Sequence, residues 1–275
     1  MTDNLPTVPG TILLLDAHTG IANALMNATL LTAMRTAAGS ALATSVFGNF
    51  HDGVSAASVR NTYNMVIFGA GMQAEAHIQC IMCVKPEIRS VIIINRTVCN
   101  AEHLIGKMNN NYRGDVQFKA IGLEDTAEVR SAVENADIIV TATNSSTPLF
   151  DGKWLKPGAH LNCVGSYTKS SREIDSLTVS RCRVIMIDTH DALSTSGDLA
   201  FPSLDGTLEE DDTRVCTLGS ILNKQSNIDR FAFNQDETRT CTLFKSVGTA
   251  VQDISTAAVV FNEAQKRCIG TDVKL

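Results

Sequence analysis

The chain has 275 residues, of which 44% are hydrophobic and 19% charged, which is the composition of an ordinary globular protein long enough to bury a core. Its formal net charge of −6 argues against a nucleic-acid-binding surface, because phosphate binding needs clustered Lys and Arg. No apolar run is long enough to cross a bilayer and no secretory leader opens the sequence, so we expect a cytoplasmic protein with no membrane partner. Cys80 and Cys83 form a CxxC pair, but it lies in an apolar helical stretch with no second ligand pair nearby, and the six histidines have no paired spacing, so no metal site is predicted.

The first elements in chain order predict a hairpin followed by a helix. Residues 11–15 and 21–27 are two β-rich runs joined by the turn sequence DAHTG. Residues 30–47 are rich in Ala and Leu, which favours a closely packed helix.

From Met65 onward, short β-rich runs alternate with segments of helical length. The runs are 65–69, 91–95, 116–121, 137–143, 160–165 and 183–188. Apolar strands separated by helices indicate a parallel sheet that is covered on both faces. Six strands in this rhythm predict a doubly wound α/β Rossmann domain with two mononucleotide-binding halves.

The C-terminal part departs from this rhythm. Residues 201–216 and 223–239 are polar and poorly periodic, so we interpret them as loops. Asp198 lies just before them in a stretch that contains Gly and Pro, and we interpret it as a turn residue. Residues 240–246 predict a strand, and 248–267 predict a long helix.

The simplest organisation places one domain inside another. We expect residues 45–200 to form the Rossmann domain and residues 1–44 and 201–275 to pack together as a smaller second domain.

The strongest local signal is the sequence GAGMQA directly after the first Rossmann strand. Gly69 permits a tight turn, and Gly71 lets the backbone approach a pyrophosphate. Ala74 is small enough for the helix to pack closely on the strand, while Met72 and Gln73 open that helix. The N–H groups and the dipole at the start of the helix favour phosphate, so these five residues predict a dinucleotide site.

The end of the second Rossmann strand discriminates between the two nicotinamide dinucleotides. An NAD site normally has Asp or Glu here, to bind the ribose 2′-hydroxyl. This strand ends instead with Asn95, Arg96 and Thr97. Arg96 can pair with a 2′-phosphate and Thr97 can donate a hydrogen bond to it, so NADP(H) is predicted, with NAD(H) less favoured.

The sequence resembles the ornithine cyclodeaminase/mu-crystallin family, in particular its reductase-like and mu-crystallin-like members. The segments that carry the resemblance are LLTAMRTAAGSALAT (30–44), VIFGAGMQAEAH (66–77), INRT (94–97), LFDGKWLKPGAHLNCVGSY (149–167), REID (172–175), IDTHDALSTSGDL (187–199) and TLFKSVGTAVQD (242–253). The resemblance implies a Rossmann domain inserted into an α+β dimerisation domain that both chain ends form, and therefore a homodimer.

The resemblance also implies roles for single residues. Arg35 occupies the position of the family's arginine that holds a substrate carboxylate. Thr32 precedes it by three residues on the same helical face and is expected to approach the cofactor or the substrate. Ser246 and Gly248 correspond to a segment that passes close to the nicotinamide ring. Asp188 is expected to hold local loop structure and not to catalyse.

Tyr167 marks a departure from the cyclodeaminase pattern. Cyclodeaminases carry a catalytic Asp after the turn that follows the fifth strand, and Tyr167 stands there. Tyrosine is a poor base at neutral pH but can donate a proton or a hydrogen bond. Thr143 and Val164, at the ends of the fourth and fifth strands, complete the expected cofactor contacts.

The start of the chain is the second departure. Family members usually begin with a further segment that supplies a Lys and an Arg to the substrate pocket, and the first Lys here is Lys85. We therefore expect either a shortened sequence or a natural short form with a weakened pocket.

These observations favour one function and leave two alternatives. The favoured function is the NADP-dependent reduction of a small imine or ketimine carboxylate, in which Arg35 binds the carboxylate. One alternative is a non-catalytic or decayed form that binds NADPH or another small ligand. The other is an ornithine cyclodeaminase, a lyase that forms proline and ammonia.

Overall fold

The computed structural model describes residues 10–47, 62–112, 116–209, 211–223 and 238–273. It begins with a hairpin of strands β1 (Thr11–Leu15) and β2 (Ala22–Asn27), which pair antiparallel. The carboxylate of Asp16 stabilises the turn between them, because it accepts hydrogen bonds from the N–H groups of His18 and Thr19. Helix α1 (Ala28–Phe47) follows the hairpin directly.

The centre of the molecule is an eight-stranded sheet in which every pairing is parallel. Its strands are β3 (Tyr63–Phe68), β4 (Ile88–Asn95), β5 (Gln117–Gly122), β6 (Ile138–Thr141), β7 (His160–Cys163), β8 (Cys182–Ile187), β9 (Val215–Thr217) and β10 (Cys241–Lys245). They lie in the order β5-β4-β3-β6-β7-β10-β8-β9. Apart from β10 and β9, this is the strand order of two mononucleotide-binding halves.

Helices connect the strands and cover the sheet. In the described part of the chain they are α2 (Met72–Val84), α3 (Val98–Asn111), α4 (Thr126–Asn135), α5 (Ser176–Ser180), α6 (Ala192–Thr195), α7 (Gly197–Leu204), α8 (Leu218–Leu222) and α9 (Ala250–Lys266), with a 3₁₀ turn at Gly152–Trp154. No described helix combines the length and the apolar character that crossing a bilayer would require. Within the same residues, no group of three or more His, Cys, Asp or Glu side chains could hold a metal ion.

Both faces of the sheet are buried, as the near-continuous apolar strands predict. Along β3, Met65 and Ile67 contribute to one apolar cluster, and Val66 and Phe68 contribute to the cluster on the opposite face. All four side chains are almost completely inaccessible to solvent. The predicted α/β Rossmann architecture is therefore confirmed for the middle of the chain.

The C-terminal strand lies where the sequence did not predict it. The sequence places residues 240–246 in the flanking second domain, but β10 is an internal strand of the Rossmann sheet, between β7 and β8. All five of its residues are buried, because a strand with neighbours on both sides and helices over both faces has no solvent-facing side.

The prediction of a loop over residues 201–216 is also wrong in part. Helix α7 extends to Leu204 and contains Pro202, and residues 215–217 form the edge strand β9. Ser196 begins α7 as its N-cap, accepting a hydrogen bond from the N–H of Asp198. Of the second predicted loop, residues 224–237 lie outside the described part of the chain.

His77 connects the two helices that will carry the candidate site, α1 and α2. Its Nδ1 donates to the carbonyl oxygen of Gln73 (2.7 Å), so in the neutral ring Nε2 accepts from the hydroxyl of Ser40 (2.9 Å). The ring is fully buried, and this burial lowers the pKa of His77 to about 4. The contact is therefore made by the neutral imidazole.

This arrangement predicts a loss of stability in mild acid. The folded-state pKa of His77 lies below its ordinary value, so its contribution is complete above about pH 6.5 and falls as the pH drops toward 4. We expect the wild-type protein to lose about 2 kcal/mol of unfolding free energy from this group between pH 7 and pH 5, a loss that His77→Gln removes. Denaturant unfolding at both pH values measures it. The exposed His103→Gln is the matched control, and an undiminished pH slope in His77→Gln contradicts the assignment.

Candidate active site

The residues predicted for the site come together at one edge of the sheet. Because all the strands run parallel, the segments that follow their carboxyl ends share that edge. The site residues that follow these strands are Gly69 after β3, Arg96 after β4, Thr143 after β6, Val164 after β7 and Ser246 after β10. This edge is where open α/β sheets bind their ligands.

The glycine turn has the geometry that a bound pyrophosphate requires. Gly69 has φ +109°, and a Cβ there would lie 2.5 Å from the carbonyl oxygen of Ala142, so only glycine fits. Gly71 is the N-cap of α2 and makes no side-chain capping bond, and a Cβ on it would meet open space. The start of α2 thus offers backbone N–H groups and a positive dipole end to an anion, and the turn fits a dinucleotide.

The three residues after Gly71 have different environments. Ala74 is fully buried between helix and sheet, as its small size predicts, whereas Met72 is exposed. The side-chain oxygen of Gln73 is buried, and no residue in the described part of the chain donates a hydrogen bond to it.

The end of β4 presents its polar side chains to solvent. Asn95 donates its side-chain amide to the carbonyl oxygen of Thr97 (2.9 Å), which closes the turn between β4 and α3. Arg96 is exposed within that turn. Thr97 begins α3 as its N-cap, but its hydroxyl makes no capping hydrogen bond.

A buried carboxylate joins the loops that follow β6 and β7. One oxygen of Glu173 accepts from the N–H (2.6 Å) and the hydroxyl (2.7 Å) of Thr143. The other accepts from the hydroxyl of Thr141 and the N–H of Gly165, both at 2.8 Å. The predicted cofactor contact Thr143 therefore has its hydroxyl turned toward the protein interior.

An ion pair without solvent contact lies beside this carboxylate. Lys245, the last residue of β10, places its Nζ 3.0 Å from Oδ2 of Asp198, and both side chains are fully inaccessible. The other oxygen of Asp198 accepts from the N–H groups of Glu173 and Ile174. Burial, followed by the nearby Asp198 carboxylate, raises the pKa of Glu173, while Lys245 and the Thr143 donors lower it. Asp198 is thus a buried structural residue and not the turn residue that the sequence suggested.

Asp188 holds the segment that follows β10, as expected. Its Oδ2 accepts hydrogen bonds from the hydroxyl of Ser246 (2.8 Å) and from the N–H groups of Val247 (2.9 Å) and Gly248 (2.7 Å). Gly248 has φ +89°, which favours glycine. The path of the backbone at residues 246–248 is therefore determined by one carboxylate at the end of β8.

Arg35 reaches this same segment from α1. Its Nε donates to Oδ1 of Asp253 (2.8 Å) and its Nη1 to Oε1 of Gln252 (3.1 Å), both in the first turn of α9. A Cβ on Gly248 would lie 2.5 Å from Nη1 and 2.8 Å from Nη2, so the guanidinium rests against the glycine. Thr32 lies one helical turn before Arg35 and is partly buried. The predicted carboxylate-binding arginine and the predicted nicotinamide segment are in contact.

Tyr167 lies at the same edge, in the loop after β7, with its side chain 59% exposed. Val164 and Gly165 precede it, and a Cβ on Gly165 would collide with the carbonyl oxygen of Thr143 and with Glu173. The backbone before Tyr167 is therefore closely packed while its phenol faces outward.

Sequence reasoning missed several polar partners within this site. No role was predicted for Glu173, Lys245, Gln252 or Asp253. All four lie in the segments REID and TLFKSVGTAVQD that carry the family resemblance, which was the available signal. Asp198 also lies in a segment that carries the resemblance, IDTHDALSTSGDL (187–199).

Two glycine variants distinguish an effect on folding stability from an effect on NADPH binding. We expect Gly71→Ala to change the free energy of unfolding by less than about 1 kcal/mol, because its Cβ meets open space, yet to weaken NADPH binding about 10-fold or more by occupying the phosphate position. Gly69→Ala should destabilise the fold by about 1–3 kcal/mol through its positive φ and the contact with Ala142. Thermal unfolding with and without NADPH measures both. Unchanged NADPH stabilisation in Gly71→Ala would place the phosphates elsewhere.

Comparison with known proteins shows the family of this chain. A model of the ornithine cyclodeaminase/mu-crystallin family matches residues 1–267. An uncharacterized cyclodeaminase of Dictyostelium discoideum is 36% identical over 98% of this chain and 74% of its own length. The ketimine reductase mu-crystallin of Mus musculus is 31% identical over 94% of this chain and 70% of its own.

A solved structure is similar over the same extent. The Δ1-pyrroline-2-carboxylate reductase of Thermococcus litoralis, in complex with NADH and L-proline, has a TM-score of 0.81 to this chain and 31% sequence identity. The match covers 98% of this chain and 76% of the reductase. On these grounds, and as its glycine turn and RTAA segment predict, the chain belongs to the ornithine cyclodeaminase/mu-crystallin family.

Proposed function

We propose that this chain is an NADP(H)-dependent reductase of a small imine or ketimine carboxylate. The observation that carries the proposal is the contact between the Arg35 guanidinium and Gly248, at the sheet edge that also holds the glycine turn. A fixed cation beside the expected nicotinamide segment suits a substrate whose reacting carbon is bonded to a carboxylate.

The relatives support this substrate class. The Thermococcus protein, a pyrroline-2-carboxylate reductase, was solved with NADH and L-proline, and mouse mu-crystallin is a ketimine reductase. Both names describe reduction of a carbon–nitrogen double bond. Tyr167 in place of a catalytic Asp favours this reaction over the cyclodeaminase alternative, because tyrosine is a poor base at neutral pH.

The chain's own residues have few tasks in such a reaction. The reduced nicotinamide, when bound, supplies the hydride. Arg35 binds the substrate carboxylate and so orients the carbon–nitrogen double bond. If the nitrogen enters protonated, it needs no further acid. If it enters neutral, the exposed hydroxyl of Tyr167 or a water molecule donates the proton that it gains.

The preference for NADP(H) rests on the end of β4. A nicotinamide dinucleotide is supported by the glycine turn and by the ligands of the solved relative. The finer preference is argued from Arg96 and Thr97, an exposed guanidinium and a hydroxyl at the position where NAD sites carry a carboxylate.

We also propose that the chain ends form the α+β dimerisation domain of a homodimer. The hairpin and α9 expose large apolar side chains that a monomer would leave in water, among them Leu13, Leu25, Val251 and Ile254. Strand β1 and α9 are neighbours, so these side chains belong to one region. The division at residues 1–44, 45–200 and 201–275 is part of this proposal, with β10 excepted because it lies in the Rossmann sheet.

Reduction of a cyclic ketimine acid tests the proposed reaction. We expect the purified protein to oxidise NADPH when Δ1-pyrroline-2-carboxylate is added, and Arg35→Ala to raise KM about 10- to 100-fold through loss of a charge-assisted contact. The absorbance of NADPH measures both. Arg130→Ala, an exposed arginine paired with Glu134 on α4, should behave as wild type.

Each alternative function predicts a different result. Binding of NADPH without oxidation by any ketimine acid would indicate the non-catalytic form. Formation of proline from ornithine without net cofactor turnover would indicate the lyase.

The preference for NADP(H) is tested with two arginine variants, one at each end of β4. We expect Arg96→Ala to weaken NADPH binding about 10-fold or more and to leave NADH binding unchanged, because only NADPH carries the 2′-phosphate. Arg89→Ala removes an exposed arginine at the opposite end of β4 and is the matched control. Equal losses for both dinucleotides in Arg96→Ala would refute the assignment.

A further inference from the structure

Arg35 is held in one orientation before any substrate contacts it. Its Nε donates a hydrogen bond to Asp253, and one N–H of its Nη1 donates a hydrogen bond to Gln252. The Arg35 side chain is only 12% exposed, so the guanidinium has little room to rotate. These two acceptors belong to a single helical turn, at the start of α9.

The orientation decides which edge of the guanidinium remains for a ligand. An arginine can bind a carboxylate side-on, through Nε and Nη2, or end-on, through Nη1 and Nη2. Asp253 occupies Nε and therefore blocks the side-on arrangement. The end-on pair, Nη1 and Nη2, is the pair that lies against Gly248.

The turn that holds Arg35 is itself rigid. Thr249 and Gln252 form a capping box at the start of α9: the N–H of Thr249 donates to Oε1 of Gln252 (3.4 Å), and the N–H of Gln252 donates to the backbone carbonyl oxygen of Thr249 (3.0 Å). The side chain of Gln252 also lies against α1, where a Cβ on Gly39 would be 3.4 Å from its Nε2. Just before the box, the N–H of Gly248 is fixed by Asp188. Asp253 is thus tied to the same segment that the nicotinamide is expected to approach.

We infer that Asp253 is a positioning residue for substrate binding: it turns the Arg35 guanidinium so that Nη1 and Nη2 receive the substrate carboxylate end-on. This inference rests on the proposed function. The absence of a Cβ at Gly248 is the second requirement, because any larger residue would displace the two nitrogens that bind.

A merely structural role for the Asp253–Arg35 pair makes a different prediction. If the pair only joined α1 to α9, its loss would lower stability and affect every ligand alike. If it orients Arg35, its loss weakens carboxylate binding alone. In addition, Asp253→Asn should preserve binding, because the amide oxygen can still accept from Nε.

The experiment measures equilibrium binding of pyrrole-2-carboxylate, a planar and non-reducible probe, to the full chain in the presence of NADPH. We expect Asp253→Ala to raise its Kd about 10-fold or more, Asp253→Asn to stay within about 3-fold of wild type, and the Kd of NADPH to be the same in all three proteins. The neutral pyrrole-2-carboxamide should bind weakly and equally to each. Glu263→Ala removes an exposed carboxylate from the same helix, and wild-type behaviour is expected.

The outcomes separate this inference from the function on which it rests. Unchanged carboxylate binding in Asp253→Ala, with wild type binding normally, would overturn the inference and leave the proposed function standing. An equal loss in Asp253→Asn and Asp253→Ala would overturn the orienting role as well. A wild-type protein that binds NADPH but not pyrrole-2-carboxylate would overturn the proposed function, and the inference with it.

Discussion

Lys245 and Asp198 form an ion pair in the interior of the protein, with no accessible surface on either side chain. Removing two such charges from water costs several kcal/mol per ion, which their attraction offsets only when the remaining polar atoms are also satisfied. Here Asp198 accepts two backbone N–H groups and the neighbouring Glu173 accepts four hydrogen bonds. Every element that supplies one of these donors must therefore be in place, and together they form the carboxyl edge of the sheet.

The ion pair depends on the position of β10. Lys245 is the last residue of that strand, and it reaches Asp198 at the start of α7 from inside the sheet, where β10 lies between β7 and β8. This places the next residues, Ser246 to Gly248, beside Asp188 at the end of β8. Arg35 then rests against Gly248. A continuous series of contacts leads from the buried pair to the guanidinium that we propose binds substrate.

Much of the fold was predictable because it depends on local chemistry. The hairpin, α1, the alternation of strands and helices and the glycine turn each follow from a pattern a few residues long, and the structure has all of them. Two expectations about the elements are wrong. The loop predicted over residues 201–216, from their polar and poorly periodic sequence, contains the end of helix α7, which Ser196 caps and which buries Leu199 against the core, and part of strand β9. Strand β10 was recognised as a strand but assigned to the wrong domain, since a strand's own residues do not specify its neighbours.

The residues of the candidate site also divide into those that the sequence indicated and those that only the structure showed. Gly69, Gly71 and Arg96 could be named from the sequence, because a tight turn and a phosphate each demand particular residue types, whereas Arg35 was named from its place in the segment that carries the family resemblance. The pairings of Glu173, Asp198 and Asp253 did not follow from any local pattern, because most of the groups that they bind lie far away along the chain, and Arg35 and Asp253 are 218 residues apart. Which charges become buried and paired depends on the order of strands in the sheet. Local composition determines most of the elements and the glycine turn, whereas long-range packing decides which buried charged groups meet.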